Sequence, residues 1–173
     1  MLTLEVVNLH WVDGAVDDPF DLCAHGTVRL RVGEHQLPAL EALDCTVSAA
    51  AIYLLRTLAR PHHRGGDEDL FPCCGFAMFE VPGNEDVMIQ GCPDGVDLDV
   101  MPEGAHVALG MPDGSVHLVD ADAWREAVLA FADRVADFYR RSSPKRPPAD
   151  EAAGFSRLQR EWERRRGAPL CGR

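Results

Sequence analysis

Residues 74–119, CGFAMFEVPGNEDVMIQGCPDGVDLDVMPEGAHVALGMPDGSVHLV, decide the fold class. Short runs rich in Val, Ile, Leu and Met are separated by Pro82-Gly83-Asn84, Pro93-Asp94-Gly95, Pro102-Glu103-Gly104 and Pro112-Asp113-Gly114. Proline presets φ and glycine tolerates positive φ, so each of these is turn chemistry. The spacing predicts strands at Cys74–Val81, Val87–Gly91, Val96–Met101, Ala105–Met111 and Ser115–Val119, joined as an antiparallel meander.

Upstream, Leu2–Trp11 reads as a strand, and Thr27–Val32 as another because Val28, Leu30 and Val32 alternate with Thr27, Arg29 and Arg31. Gly33-Glu34 then turns into a hairpin partner at His35–Leu40. The run Cys45–Arg60 has few polar positions and meets no breaker before Pro61, which predicts a buried helix with Asp44 as its N-cap. Downstream, Asp120 or Asp122 caps a helix to about Arg141. Trp124, Val128, Phe131, Val135, Phe138 and Tyr139 form its apolar stripe.

Ser142–Pro148 is a stiff, Pro-rich segment, and Asp150 opens a last helix to about Arg166. The apolar seam of that helix, Phe155, Leu158 and Trp162, is too thin to stabilise it alone, so it must dock on its own domain or on a partner. The same seam offers a homodimer surface. Gly167–Arg173 is expected to fray. The fold class is α+β, an antiparallel meander sheet with one buried helix and two C-terminal helices. Residues 1–141 form a single α+β domain, residues 142–149 a Pro-rich linker, and residues 150–173 a docking helix.

Charge is distributed unevenly. Residues 1–123 carry a net of −16 and residues 124–173 a net of +5, against −11 for all 173 residues. An acidic domain followed by a basic helical tail predicts that the two face each other or a charged partner. The negative total disfavours nucleic acid and anionic membranes as partners and is compatible with a basic protein. The start of the chain shows no basic stretch and apolar run of the signal-peptide kind, so a cytoplasmic location is expected. Sixteen arginines against one lysine point to a GC-rich bacterial coding background.

The six cysteines are expected to be reduced and mostly buried. Cys23, His25, Cys45, His62, His63, Cys73, Cys74 and Cys92 are the candidate metal ligands, but no Cys-x-x-Cys occurs. Cys73 and Cys74, adjacent on a strand, would point to opposite faces. No metal site and no cofactor are therefore assigned. Phosphate-loop, dinucleotide, nucleophile-elbow and zinc-protease motifs are all missing from the sequence. The acidic turns, with Asp67, Glu68, Asp69, Glu85, Asp86, Asp97 and Asp99, are candidate contacts for a basic partner.

Two resemblances add to this reading. Leu43-Asp44-Cys45-Thr46 ahead of an apolar helix, followed by His106-Val107-Ala108-Leu109-Gly110 on a strand, is similar to papain-like peptidoglycan endopeptidases of the NlpC type. That similarity implies a thiol hydrolase with Cys45 as nucleophile at a helix N-terminus, His106 as base and His117 as the orienting residue. The C-terminal block from Trp124 to Trp162, together with Phe71-Pro72-Cys73-Cys74-Gly75-Phe76 and Gly91-Cys92-Pro93-Asp94-Gly95, resembles immunity-type proteins of toxin systems. That resemblance implies a non-enzymatic protein-binding domain, an immunity protein neutralising a bacterial toxin, and it is the preferred expectation.

Overall fold

The computed structural model describes residues 1–75 and 77–171. The expected strand Cys74–Val81 includes Phe76, and the expected fraying at the end includes Gly172 and Arg173; these three lie outside the described residues. The fold is α+β, with antiparallel strands and helices that share one hydrophobic core.

The N-terminal sheet is built on β1 (Leu2–His10) and β2 (His25–Val32), paired antiparallel from Leu2↔Val32 to His10↔His25. A register shift between Val7 and His10 is accommodated by Asn8 at a φ of 53°. On its other side β2 pairs at one end with β3 (His35–Gln36) and at the other with β4 (Cys45–Thr46). The expected hairpin partner therefore stops after two residues. Pro38, which has no N–H to give a ladder, opens the short helix α1 (Pro38–Glu41) instead.

The buried helix is α2 (Val47–Thr57), and every residue of it is buried. It begins two residues later than expected. Cys45 and Thr46 are extended because Gly26 and His25 claim them as ladder partners, and the cap residue Thr46 makes no side-chain capping bond. Asp44 does not cap it either; its carboxylate accepts from His10 Nε2 at 3.1 Å.

The expected five-strand meander divides in two. β5 (Ala77–Phe79) and β6 (Met88–Gln90) form a two-stranded hairpin. β7 (Asp99–Glu103), β8 (His106–Gly110) and β9 (Val116–Asp120) form a three-stranded meander of their own. Between the two lies an irregular stretch containing Cys92, Pro93 and Asp97.

α3 (Ala121–Arg141) starts where Asp120 accepts the N–H groups of Asp122 and Ala123, both at 3.0 Å. It buries the expected stripe against β1 and α2, except that Phe138 remains half-buried. The following segment is pinned to the loop after β1. The Ser143 N–H donates to Asp17, Arg146 N–H donates to the Pro19 carbonyl at 2.7 Å, and Lys145 Nζ lies 3.2 Å above the Trp11 ring.

α4 (Ala152–Arg166) docks on α2 and β5 of its own chain. Phe155, Leu158 and Trp162 are 3%, 0% and 0% exposed, so the seam is filled within the chain. Close approach is possible because Gly154 has no Cβ; one would lie 1.9 Å from the Met78 carbonyl oxygen. Leu170 is buried, so the segment expected to fray is anchored at that residue. Among the described residues no helix is long and apolar enough to cross a membrane.

Candidate functional site

The expected catalytic residues are not assembled. Cys45 is fully buried in β4, and burial, followed by the Asp44 charge, pushes its thiol pKa up, opposite to what a nucleophile needs. The helix dipole does not act on it as foreseen, since α2 begins beyond it and the Thr46 N–H already donates to the Pro72 carbonyl at 2.9 Å. His106 is exposed on β8 opposite Asp120. The β8–β9 register places His117 on the other face of that meander. There its ring stacks on His35, with centroids 4.4 Å apart, and Nε2 lies 3.1 Å from Ser115 Oγ.

The acidic candidates fall into two groups. Near α4 they are neutralised internally. Asp86 pairs with Arg164 at 2.6 Å and Arg165 at 2.8 Å, and Glu85 with Arg164 at 3.4 Å. Beside them sits a buried ionic knot. Arg56, 5% exposed, donates to both oxygens of fully buried Glu161 at 2.9 and 3.0 Å, to Glu68 at 2.8 Å and to the Val87 carbonyl at 2.6 Å. Glu161 also accepts from the Val87 N–H and from Arg165, so both oxygens of the buried carboxylate are matched by charged or amide donors. The basic tail thus compensates the acidic residues that lie nearest to it within the fold.

The second group builds a loop. Asp97 accepts from His62 Nε2 at 2.7 Å and from the N–H groups of Gly65, Leu70 and Leu98 at 2.9–3.0 Å. Burial pushes its carboxyl up, but these donors outweigh it and hold the pKa below the ordinary value. Asp99 accepts the Arg64 N–H at 2.8 Å. Asp69 accepts the Gly95 N–H at 3.0 Å, yet burial, with Asp97 and Asp94 close by, raises its pKa. Asp67 stands exposed at the tip. The loop from His62 to Asp69 is therefore folded around Asp97.

Two clefts open on either side of this loop and share Gly66, Asp67, Glu68 and Ile89 as a wall. The larger, of about 540 Å³, adds His62, His63 and the half-exposed Met88. The smaller, of about 190 Å³, reaches Tyr53, Asp69, Cys74 and Cys92.

The sulfurs at the foot of the smaller cleft were not anticipated as a group. Phe71 bridges Val96, and Ala77 pairs with Gln90, so residues 71–77 run antiparallel to 90–96 in one register. Pro72 and Pro93 lack the N–H groups that would complete the ladder, and the stretch between is irregular. Neighbouring Cys73 and Cys74 consequently do not diverge as on a regular strand. Cys73 is joined to Cys92 in a disulfide, which corrects the expectation that all six thiols are reduced. Cys74 is a free thiol beside it, accepting the Cys92 N–H at 3.0 Å. The ligand atoms of Cys73, Cys74 and Cys92 all lie within 4.8 Å of one another. A signal was present: two prolines and two flanking glycines, Gly75 and Gly91, recur beside the cysteines in both segments.

No protein-family description, curated protein or solved structure matches the chain.

Proposed function

We infer that the protein is a non-catalytic protein-binding domain whose partner presents a basic segment to the two clefts beside loop His62–Asp69. Neutralising a basic toxin, as the resemblance to immunity-type proteins implies, is the form of this function we favour. The observation that carries it is the shared wall that presents the exposed carboxylate of Asp67, Glu68 beside it being paired with Arg56, between a cleft with Met88 on its rim and a second, more polar one. A basic side chain on the partner would meet the Asp67 carboxylate while apolar neighbours cover Met88, a combination that gives steering and register together. The depth and burial of Cys45 favour binding over thiol hydrolysis.

The test uses an oligo-arginine peptide titrated into isotope-labelled protein. Chemical-shift changes are expected to map to residues 62–69 and 88–90, and Asp67→Asn is expected to weaken them. Shifts that centre elsewhere, or that Asp67→Asn leaves unchanged at low ionic strength, refute the reading.

A further inference from the structure

We propose that Cys73, Cys74 and Cys92 form a soft-metal site, which takes up Zn²⁺ through three thiolates once the Cys73–Cys92 disulfide is reduced. The geometry is the first support. A tetrahedral zinc with Zn–S bonds of about 2.3 Å sets its sulfurs roughly 3.8 Å apart. The three sulfurs already lie within 4.8 Å of one another, so ligation asks for small side-chain rotations and not a refolded loop.

The surroundings are the second support. The Cys92 N–H donates to the Cys74 sulfur at 3.0 Å, an outer-shell hydrogen bond that fixes where this sulfur points. Backbone packs closely around the site: a Cβ on Gly91 would lie 2.1 Å from the Cys74 carbonyl oxygen. Such packing holds the Cys74 backbone in place independently of the disulfide. The sulfurs Cys74 and Cys92 border the smaller cleft, which leaves the fourth coordination position to water or to a carboxylate of the loop.

The chemistry balances as two steps. The Cys73 Sγ–Cys92 Sγ bond breaks on accepting two electrons and two protons: an external dithiol supplies both and becomes a disulfide, whereas a phosphine supplies the electrons and water the protons, the water oxygen ending in the phosphine oxide. Zn²⁺ then displaces one proton from each of the three thiols. Disulfide and metal are alternative states of the same sulfurs.

The experiment treats the full chain with a phosphine reductant and titrates Co²⁺, then displaces it with Zn²⁺. The expected result is one equivalent bound, with thiolate-to-cobalt charge transfer in the near ultraviolet and the intense visible bands of tetrahedral cobalt. The unreduced chain should show neither. Cys74→Ser, which keeps the disulfide pair and so the oxidised fold, should lose at least the roughly 10–100-fold in affinity that an outer-shell change costs. Cys171→Ser, at a thiol outside the cluster, should bind as the parent does. The proposal is overturned if the reduced parent chain shows no thiolate–cobalt bands, or if Cys74→Ser binds as tightly with the same spectrum.

Discussion

Single side chains in this protein carry energies out of proportion to their number. Glu161 is the clearest, because its carboxylate is buried and satisfies Arg56, Arg165 and the Val87 N–H together. Glu161→Ala would leave Arg56 with only Glu68 and the Val87 carbonyl of its three hydrogen-bond partners, and a broken buried pair costs about 3–5 kcal/mol. Urea denaturation should show a loss in that range; a loss within the ordinary surface scatter of about 0.5 kcal/mol would contradict the knot's role. Asp97 makes a pH-dependent contribution. Its folded pKa lies below the unfolded value of about 3.9, so its stabilisation is complete above that pH and fades as pH falls through the lower folded value. The destabilisation caused by Asp97→Asn should therefore be constant from neutral pH to about 5 and shrink below about 4. A difference that stays the same at low pH would show that the charge of Asp97 is not what holds the loop.

Among the elements, α4 and the irregular 71–77/90–96 pair set the character of the fold. Gly154→Ala places a methyl against the Met78 carbonyl, and overpacking of this kind costs about 1–3 kcal/mol. Hydrogen exchange should then accelerate across Phe155–Trp162 before it does across β1 and β2; uniform acceleration would mean that α4 does not open separately. The Cys73–Cys92 bridge closes a loop of sequence separation 19, for which chain entropy predicts about 3 kcal/mol. Reduction in the presence of a chelator should lower the urea midpoint accordingly.

These same elements divide what was legible in the sequence from what was not. The alternation of Val28, Leu30 and Val32 and the stripe from Trp124 to Tyr139 report local periodicity, and both elements stand where periodicity put them. The start of α2 was misplaced because Cys45 and Thr46 answer to β2, a partner that local pattern does not encode. The site was harder still. The acidic residues were visible, but not which of them Arg164, Arg165 and Arg56 would consume. The gathering of Cys73, Cys74 and Cys92 depends on a broken ladder whose register only the assembled hairpin defines.

For the whole molecule, the acidic residues nearest α4 pair with its arginines, and the acidic surface left exposed is correspondingly narrower than the sequence implies. Arg56 and Glu161, in the buried knot, are 105 residues apart. At typical synthesis rates the ribosome delivers the glutamate roughly 5–20 s after the arginine. Throughout that interval the nascent arginine can pair with Glu68, 12 residues on, but the Nε and Nη2 groups that Glu161 will receive stay hydrated. The hollow meant for Phe155, Leu158 and Trp162 stays open as well, presenting apolar surface to chaperones. The interior is therefore completed only once α4 has been made and seated.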